Sequence, residues 1–214
     1  LQALAKVRPQ MLLQPALLDA ADEHEQLRES IRRFVVKELQ PHAEEWEETT
    51  FPDSVFHRMG ELGFLGLDKP EQYGGQGGDY YTSLVLAEEV VHAHSGGLAM
   101  GVAVHTDMAM PPILAFGTEE QKQEWVVPAI KGQKIHCLGI TEPDAGSDVA
   151  GIKTRAVRDG EHYVVNGAKT FITNGINADL VVVAARTSED PHGGLSMIAI
   201  ERGMEGFERG RQIE

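Results

Sequence analysis

The sequence has a single cysteine among its 214 residues, Cys137. One cysteine cannot form an internal disulfide, and this scarcity fits a reducing compartment. A free thiol could act as a nucleophile. Cys137 lies in the apolar run KIHCLGI, however, where a buried strand residue is the better interpretation.

Basic residues are also scarce: 19 Lys and Arg stand against 33 Asp and Glu, a formal net charge of −14. A nucleic-acid-binding protein needs a basic face for phosphates, so this class of function is disfavoured. The charge is uneven. Residues 1–130 carry 9 basic and 21 acidic side chains, and residues 131–214 carry 10 and 12. The second part is therefore the better place for an anionic ligand.

Several functional signatures are missing. No apolar run approaches the roughly 20 residues of a membrane helix, and no signal peptide is visible, so we expect no membrane span. The nine histidines show no metal-binding spacing. His92 and His94, for example, point in different directions on a predicted helix, and we expect no metal site. The G-x-S-x-G elbow of hydrolases is absent. The chain opens without Met and stops soon after a strand-like segment, so we expect both ends to be incomplete.

Residues 1–130 predict helices. Apolar residues recur at spacings of three and four in segment 22–45, at Leu27, Ile31, Phe34, Val35 and Leu39. Asp19 or Asp22 can cap this helix, and Pro41 should end or kink it. A short helix follows at 53–62, with Asp53 as its N-cap and Gly63 as its stop.

Three more helices are predicted downstream. Asp79 caps the first, whose residues in register are Leu84, Val85, Glu88 and Val91. Residues 98–116 are small and apolar all round, which indicates a buried helix. Thr118 and Gln121 form a capping box for the third, which carries Trp125.

From about residue 134 the period changes to that of strands. Asp159-Gly160 predicts a hairpin turn, and Asn166-Gly167 predicts a second turn before a strand at KTFIT. Residues 179–185 and 195–200 are further strand-like runs. The predicted fold class is therefore α+β: an amino-terminal helical bundle (1–130) and an antiparallel, barrel-like middle β domain (131–214) that we expect to be incomplete.

Two polar, turn-forming stretches are candidate binding sites. YGGQGG at 73–78 lacks the Lys-Ser/Thr of a phosphate-binding loop and the preceding strand of a dinucleotide fingerprint, so an ordinary tight turn is favoured. ITEPDAGSD at 140–148 is either a turn between two elements or a surface for a polar ligand. If KTFITNG is a strand, Phe171 and Thr173 share one face. Together with Thr141 and Ser147, they could hold a flat heteroaromatic ring and a phosphate. The alternative is that Ser147 or Asp148 caps a turn and Phe171 is core.

Three segments resemble the acyl-CoA dehydrogenase family of flavoproteins. LGITEPDAGSD looks like the family signature, GIKTRAVRDGEHYVVNGAKTFITNG is similar to the segment after it, and FLGLDKPEQYGGQGGDYYTSLVLAEEV resembles the amino-terminal pattern. The resemblance covers nearly the whole chain in order. It implies FAD as cofactor and an acyl-CoA thioester as substrate. The family's carboxy-terminal helical domain, which normally carries the catalytic glutamate, has no counterpart here, so no catalytic residue is assigned within this chain.

The resemblance assigns flavin contacts to Leu138, Ile140, Thr141, Ser147, Phe171, Ile172 and Thr173. Phe171 matches the aromatic position that covers the flavin, often Trp in relatives, and Thr173 matches the threonine facing flavin N5. Ser147 also matches an acyl-CoA contact. Gly101 and Val104 lie on the helix that aligns with the one lining the acyl tail, where Gly101, Ala103 and Val104 are small enough to leave room for a medium or long chain. Tight helix packing would explain the same small residues.

The implied reaction is an α,β-dehydrogenation, as in fatty acid β-oxidation. A carboxylate removes the α-proton while hydride leaves the β-carbon for flavin N5, and electrons pass to an electron-transfer flavoprotein. The family also implies a homotetramer, in the bacterial cytoplasm or the mitochondrial matrix. Alternatives on the same scaffold are an acyl-CoA oxidase or flavin monooxygenase, or a non-catalytic relative that binds acyl-CoA or a protein partner.

Overall fold

The computed structural model describes residues 22–190 and 193–212. Helices occupy the first part and strands the second, so the predicted α+β class is confirmed. Asp19, one of the two proposed caps of the first helix, lies outside the described residues. The predicted division into domains at residue 130 stays a prediction.

The first helical stretch runs from residue 22 to residue 48. It comprises α1 (Asp22–Phe34), a π-helical turn (Val35–Leu39), a 3₁₀ turn (Gln40–His42) and α2 (Ala43–Glu48). Pro41 lies in the 3₁₀ turn. Because proline has no amide hydrogen to donate, the regular α-helix is interrupted there, as the sequence predicts.

The short helix α3 spans Ser54–Glu61. Asp53 precedes it as expected, but its side chain makes no capping hydrogen bond, so that part of the prediction is wrong. Gly63 follows with φ 78°, a left-handed conformation that glycine adopts without strain and that ends the helix.

Helix α4 (Tyr80–Val90) begins where Asp79 accepts a hydrogen bond from the Thr82 amide at 3.0 Å, which confirms the predicted cap. Its buried face differs from the predicted register of Leu84, Val85, Glu88 and Val91, of which only Val85 is buried. The buried residues are Val85, Leu86, Glu89 and Val90. Glu89 can be buried because two arginines of α1 bind its carboxylate.

The next helical stretch runs from Gly96 to Phe116 as α5 (Gly96–Ala103), a π-helical turn (Val104–Ala109) and α6 (Met110–Phe116). It is not buried all round as predicted: Met100, Met108 and Phe116 are exposed. Among the described residues, this stretch is long and apolar enough to cross a membrane, so the expectation that no apolar run approaches that length is wrong here; half of its most apolar window is buried within the protein. Core helices of soluble proteins have the same properties.

The last helices are α7 (Glu119–Gln121), a π-helical turn (Lys122–Val126) and α8 (Val127–Ile130). The capping box is present. The Thr118 amide donates to Gln121 at 2.9 Å, and the Gln121 amide donates to the Thr118 hydroxyl at 3.3 Å.

In the described part of the chain, five strands form one sheet: β1 (His136–Gly139), β2 (Arg155–Asp159), β3 (His162–Asn166), β4 (Leu180–Arg186) and β5 (Leu195–Glu201). β2 and β3 form the predicted hairpin, and β5 pairs with β4 in antiparallel fashion. β1 and β2 pair with β4 in parallel, however. The sheet is therefore mixed rather than antiparallel, and no pairing among the described strands closes it into a barrel.

β4 is the central strand, and all seven of its residues are buried. β5 occupies one edge of β4 along its whole length. The other edge is shared, because β1 pairs with residues 180–183 and β2 begins at the level of Arg186. The segment 140–154, which contains ITEPDAGSD, must therefore leave the sheet between β1 and β2 and return to the same edge.

Candidate flavin and acyl-CoA site

ITEPDAGSD begins where β1 ends. The Glu142 amide donates to the Ala145 carbonyl at 2.8 Å, and the Ala145 amide donates back at 3.3 Å. This narrow closure places Pro143 and Asp144 at an exposed turn. Ser147 is also exposed, and no hydrogen bond of its hydroxyl is found within the described parts of the chain. The stretch thus presents a polar surface with at least one hydroxyl available.

The carboxylate of Glu142 is the buried centre of this turn. It accepts hydrogen bonds from the amides of Lys153 at 2.7 Å and Thr154 at 2.9 Å, and from the Lys169 ammonium at 2.8 Å. Burial by itself raises the pKa of Glu142. The hydrogen bonds from Lys169, Thr154 and Lys153 outweigh it and lower the pKa to about 2. Glu142 is therefore a fixed anion at any physiological pH.

The second segment of the site, KTFITNG, is not the strand that the sequence predicts. Phe171 has φ 58° and Asn174 has φ 64°, and a strand contains no such left-handed residues. Phe171 and Thr173 therefore do not share a strand face. A side-chain contact explains how the irregular path is held: the Asn174 amide group donates to the Gly101 carbonyl at 2.8 Å.

The irregular path exposes the Phe171 ring, which is 75% accessible, so the alternative that Phe171 is core is wrong. A left-handed conformation at a non-glycine residue costs on the order of 1–3 kcal/mol and persists only where the surroundings impose it. Thr173 is half-buried two residues on, and its hydroxyl has no hydrogen-bond partner among the described residues.

The two segments touch at Thr141 and Thr170. The Thr170 amide donates to the Thr141 carbonyl at 2.9 Å, and the Thr141 hydroxyl donates to the Thr170 carbonyl. Lys169 adds a bond to the Ile140 carbonyl at 2.9 Å. The structure thus brings Thr141 close to the segment that carries Phe171 and Thr173.

Three other predicted contacts have side chains turned into the protein. Leu138 packs against the cluster that includes Met110 and Leu180, and Ile140 packs beside Ala145 and Ile152. Ile172 packs on the cluster of Val104, Cys137, Ala178, Val181 and Val183. All three side chains are half-buried by this packing.

Gly101 and Val104 lie on the helical stretch that contacts the second segment of the site through Asn174 and Ile172. A Cβ atom at Gly101 would stand 2.6 Å from Phe51 Cζ and 2.9 Å from Asn174 Oδ1, so Gly101 is needed for close packing there. Val104 is buried in the same cluster as Cys137. Burial raises the pKa of the Cys137 thiol to about 12, which leaves it protonated and fits the predicted structural role.

A groove of about 250 Å³ lies between α4 and α5, the helix that also carries Gly101. Its lining is mostly apolar and includes Leu86, Val90, Ala99, Met100, Ala103 and Asp107. Of the three small residues predicted to leave room for an acyl chain, Ala103 lines this groove. Gly101 and Val104 are not among its lining residues.

The end of the 140–154 segment is held by a buried arginine that sequence reasoning missed. The Arg186 guanidinium donates to the carbonyls of Ala150 at 2.7 Å, Ile152 at 3.1 Å and Asp190 at 2.9 Å. Glu142, Lys169 and Asn174 were missed as well. The only local signal was a charged or amide side chain in or next to each site motif. That signal does not identify the bonding partners of these side chains, which lie 11 to 73 residues away along the chain.

Two family models match the chain: "Acyl-CoA dehydrogenase, N-terminal domain" over residues 21–133 and "Acyl-CoA dehydrogenase, middle domain" over residues 137–214. The long-chain specific acyl-CoA dehydrogenase of Sus scrofa mitochondria is 38% identical over 197 residues, covering 90% of this chain and 45% of the relative.

Solved structures agree. An acyl-CoA dehydrogenase from Geobacillus kaustophilus is 45% identical with a TM-score of 0.86, over 91% of this chain and 52% of that one. An acyl-CoA dehydrogenase from Bacillus anthracis, complexed with FAD, is 35% identical with a TM-score of 0.84, over 92% of this chain and 34% of that one. The chain spans about half the length of the relatives it matches, or less. On these matches and on the fold described above, the chain belongs to the acyl-CoA dehydrogenase family, whose named members are oxidoreductases.

Proposed function

We propose that the full-length gene product catalyses the FAD-dependent α,β-dehydrogenation of acyl-CoA thioesters to trans-2-enoyl-CoA. The observation that carries this proposal is the Phe171 ring, held exposed in a left-handed conformation two residues before the unpartnered hydroxyl of Thr173. A flat ligand that covers the ring would account for both the strained backbone and the exposure.

The residues present fit a flavin. An isoalloxazine ring needs an aromatic or apolar surface for its face and hydrogen-bond donors for its polar edge. Phe171 offers the surface, and the hydroxyls of Thr173 and Ser147 have no competing partner among the described residues. The Thr141 hydroxyl donates internally to Thr170, so it can only accept further bonds. The Thr141 amide is the donor we assign to the pyrimidine edge.

The bound flavin supplies the hydride acceptor at N5. The chain's own residues orient the reactants. Phe171 would exclude water from one face of the ring, Thr173 would donate a hydrogen bond to its polar edge, and Ser147 would contact the cofactor or the thioester substrate. Leu138, Ile140 and Ile172 would support the ring through their backbone and packing. No residue of this chain is assigned as the base that removes the α-proton.

The groove between α4 and α5 is the place we propose for the acyl tail. Its apolar lining suits a hydrocarbon chain, and its volume supports a medium or long chain over a four-carbon one. Gly101 and Val104 would contribute indirectly, by letting the helical stretch Gly96–Phe116 pack against Asn174 and Ile172.

We also infer the physiological setting from the family. Electrons would pass to an electron-transfer flavoprotein, the protein would assemble as a homotetramer, and it would act in fatty acid β-oxidation in the bacterial cytoplasm or the mitochondrial matrix. The division into an amino-terminal helical domain (1–130) and a middle β domain (131–214) is part of the same proposal.

The test uses the full-length protein purified with FAD. Anaerobic addition of octanoyl-CoA should bleach the oxidised flavin spectrum and release enoyl-CoA. Reoxidation by air should stay slow while product is bound, and addition of electron-transfer flavoprotein should restore the spectrum quickly. Rapid reaction with O2 would indicate an oxidase or monooxygenase instead. Binding of acyl-CoA without bleaching would indicate a non-catalytic relative.

A further inference from the structure

The two segments that carry the proposed flavin contacts are joined by few backbone contacts. Thr170 and Thr141 exchange one backbone hydrogen bond, and the residues that follow depart into the irregular path of Phe171. No strand ladder fixes the register between residues 140–142 and 169–173. Side chains must therefore hold the two segments in place.

Lys169 supplies such a contact. Its ammonium donates to the Ile140 carbonyl at 2.9 Å and to the Glu142 carboxylate at 2.8 Å. These acceptors stand on either side of Thr141. One ammonium group therefore bonds to both residues that flank Thr141. The backbone of Lys169 continues directly into Thr170 and Phe171.

Glu142 is itself anchored on its far side. Two backbone amides, those of Lys153 and Thr154, donate to its carboxylate. The side chains are 5% accessible at Glu142 and 11% at Lys169, so water competes little for the pair. An ion pair with this burial is costly to disrupt at one partner, because the other charge is left without compensation.

We infer that Lys169 and Glu142 are a positioning pair that fixes the location of Thr141 relative to Phe171 and Thr173 in the flavin site. The inference rests on the proposed function, since it concerns the separation of residues assigned to the flavin. Neither side chain is required to contact the cofactor. The pair acts through the segments that it ties together.

The experiment compares full-length variants for FAD affinity, measured by titration of the apoprotein, and for the visible circular dichroism of the bound flavin. That spectrum reports the geometry around the isoalloxazine ring, which a loss of general stability does not alter. Lys169→Met should weaken FAD binding at least tenfold and change the dichroic bands. Lys169→Arg, which keeps the charge, should retain most of the affinity.

The matched control is Lys122→Met. Lys122 is similarly shielded, with 16% of its side chain accessible, and pairs with Glu119 at 3.0 Å on α7, away from the site. This variant should keep wild-type FAD affinity and dichroism. Equal losses in the two methionine variants would overturn the inference, because they would show a general effect of removing a buried lysine.

A second variant covers the case in which Lys169→Met does not fold. Glu142→Gln/Lys169→Met removes both charges and keeps the side-chain sizes similar. We expect it to be soluble and close to wild type in thermal midpoint, yet still weakened at least tenfold for FAD. Wild-type affinity and dichroism in this double variant would overturn the inference while leaving the proposed function intact. Failure of the wild-type protein to bind FAD would overturn both.

Discussion

Glu89 of α4 is fully buried, and the guanidinium of Arg32 on α1 hydrogen-bonds to its carboxylate. Arg28, one helical turn earlier, donates to the same group at 2.9 Å. Burial by itself raises the pKa of Glu89, and the bonds from Arg32 and Arg28 outweigh it, so the pKa is lowered overall. This cluster is the polar link between α1 and α4.

Glu89→Gln should lower the free energy of unfolding by about 3 kcal/mol, because both arginines lose their buried counter-charge. Since folding lowers the pKa of Glu89, the stability it provides is present above the unfolded pKa, about 4.5, and is lost as the pH falls further. Denaturant titrations at pH 7 and pH 4 measure both effects. Glu88→Gln is the control. Glu88 binds Arg28 from an exposed position, so this variant should lower the free energy of unfolding much less. Equal costs for the two variants would contradict this assignment.

Thr173→Val keeps the shape of the side chain and removes its hydroxyl. If that hydroxyl donates to flavin N5, flavin reduction should slow by the loss of roughly 1–3 kcal/mol of interaction, about fivefold to 150-fold. Anaerobic stopped-flow reduction of the full-length variant measures the rate. Thr187→Val, at an exposed threonine beyond β4 whose hydroxyl lies 2.7 Å from that of Ser196, serves as a control away from the site. Unchanged reduction kinetics in Thr173→Val would remove Thr173 from the site.

Gly101→Ala should destabilise the protein by about 1–3 kcal/mol, because the new methyl group would overlap the Phe51 ring and the Asn174 side chain. Displacing Asn174 should also disturb Phe171, so FAD affinity should fall along with stability. Gly96→Ala, in the first turn of the same helix, meets no atom within 4 Å and should be neutral or slightly stabilising. Thermal midpoints and FAD titrations of both variants decide the matter. A stable Gly101→Ala variant would show that the close packing is not needed.

The histidines at positions 105 and 136 should make the protein less stable in acid. The His136 amide donates to His105 Nδ1 at 3.0 Å, and His105 Nε2 donates to the Ala129 carbonyl at 3.1 Å. Burial lowers the pKa of His105 to about 4 and that of His136 well below its ordinary 6.5. Because folding lowers both pKa values, the unfolded state binds more protons, and stability is lost as the pH falls from about 6.5 towards 4.

His105 alone should account for about 3 kcal/mol of this loss, from its shift of pKa from 6.5 to about 4. Denaturant titrations between pH 7 and pH 4 should show a steep fall for the wild type. His105→Gln removes one of the two titrations and should make the fall shallower. An unchanged slope in this variant would exclude His105 as a source of the acid sensitivity.

The full-length enzyme should prefer medium or long acyl chains. Each buried methylene contributes about 0.8 kcal/mol, so kcat/KM should rise about fourfold per carbon while the tail lengthens within the groove. Ala103→Leu should reduce kcat/KM for octanoyl-CoA more than for butyryl-CoA, because it fills the groove. Val157→Leu, on the exposed face of β2, should change neither. A sharp optimum at four carbons in the wild type would exclude the long groove.

Much of the local structure could be predicted from the sequence. The cap at Asp79, the capping box at Thr118, the break at Pro41 and the hairpin of β2 and β3 each depend on residues within a few positions of one another. The family motifs also located the candidate site. Such features follow from short-range backbone chemistry, which the order of residues determines directly.

The long-range features could not be predicted. Nothing local to KTFIT shows that Asn174 bonds to a helix 73 residues earlier and that Phe171 is turned out of strand geometry. The parallel pairing of β1 with β4 and the Lys169–Glu142 pair likewise depend on tertiary packing. The predicted register of α4 contains Glu88, but the buried glutamate is Glu89, whose two arginine partners on α1 lie 57 and 61 residues earlier in the sequence.

The position of β4 has a consequence for the order of folding. β4 and β5 are joined by a short connection and can pair early, whereas β1 must find its partner across about 44 residues, the separation of Ile135 from Asp179. Closing so long a loop is slow compared with forming a hairpin. The segment containing ITEPDAGSD can therefore take up its final path only in a late step, when β1 docks. The backbone amides of β4, once enclosed on both edges, should be among the last to exchange with solvent deuterium.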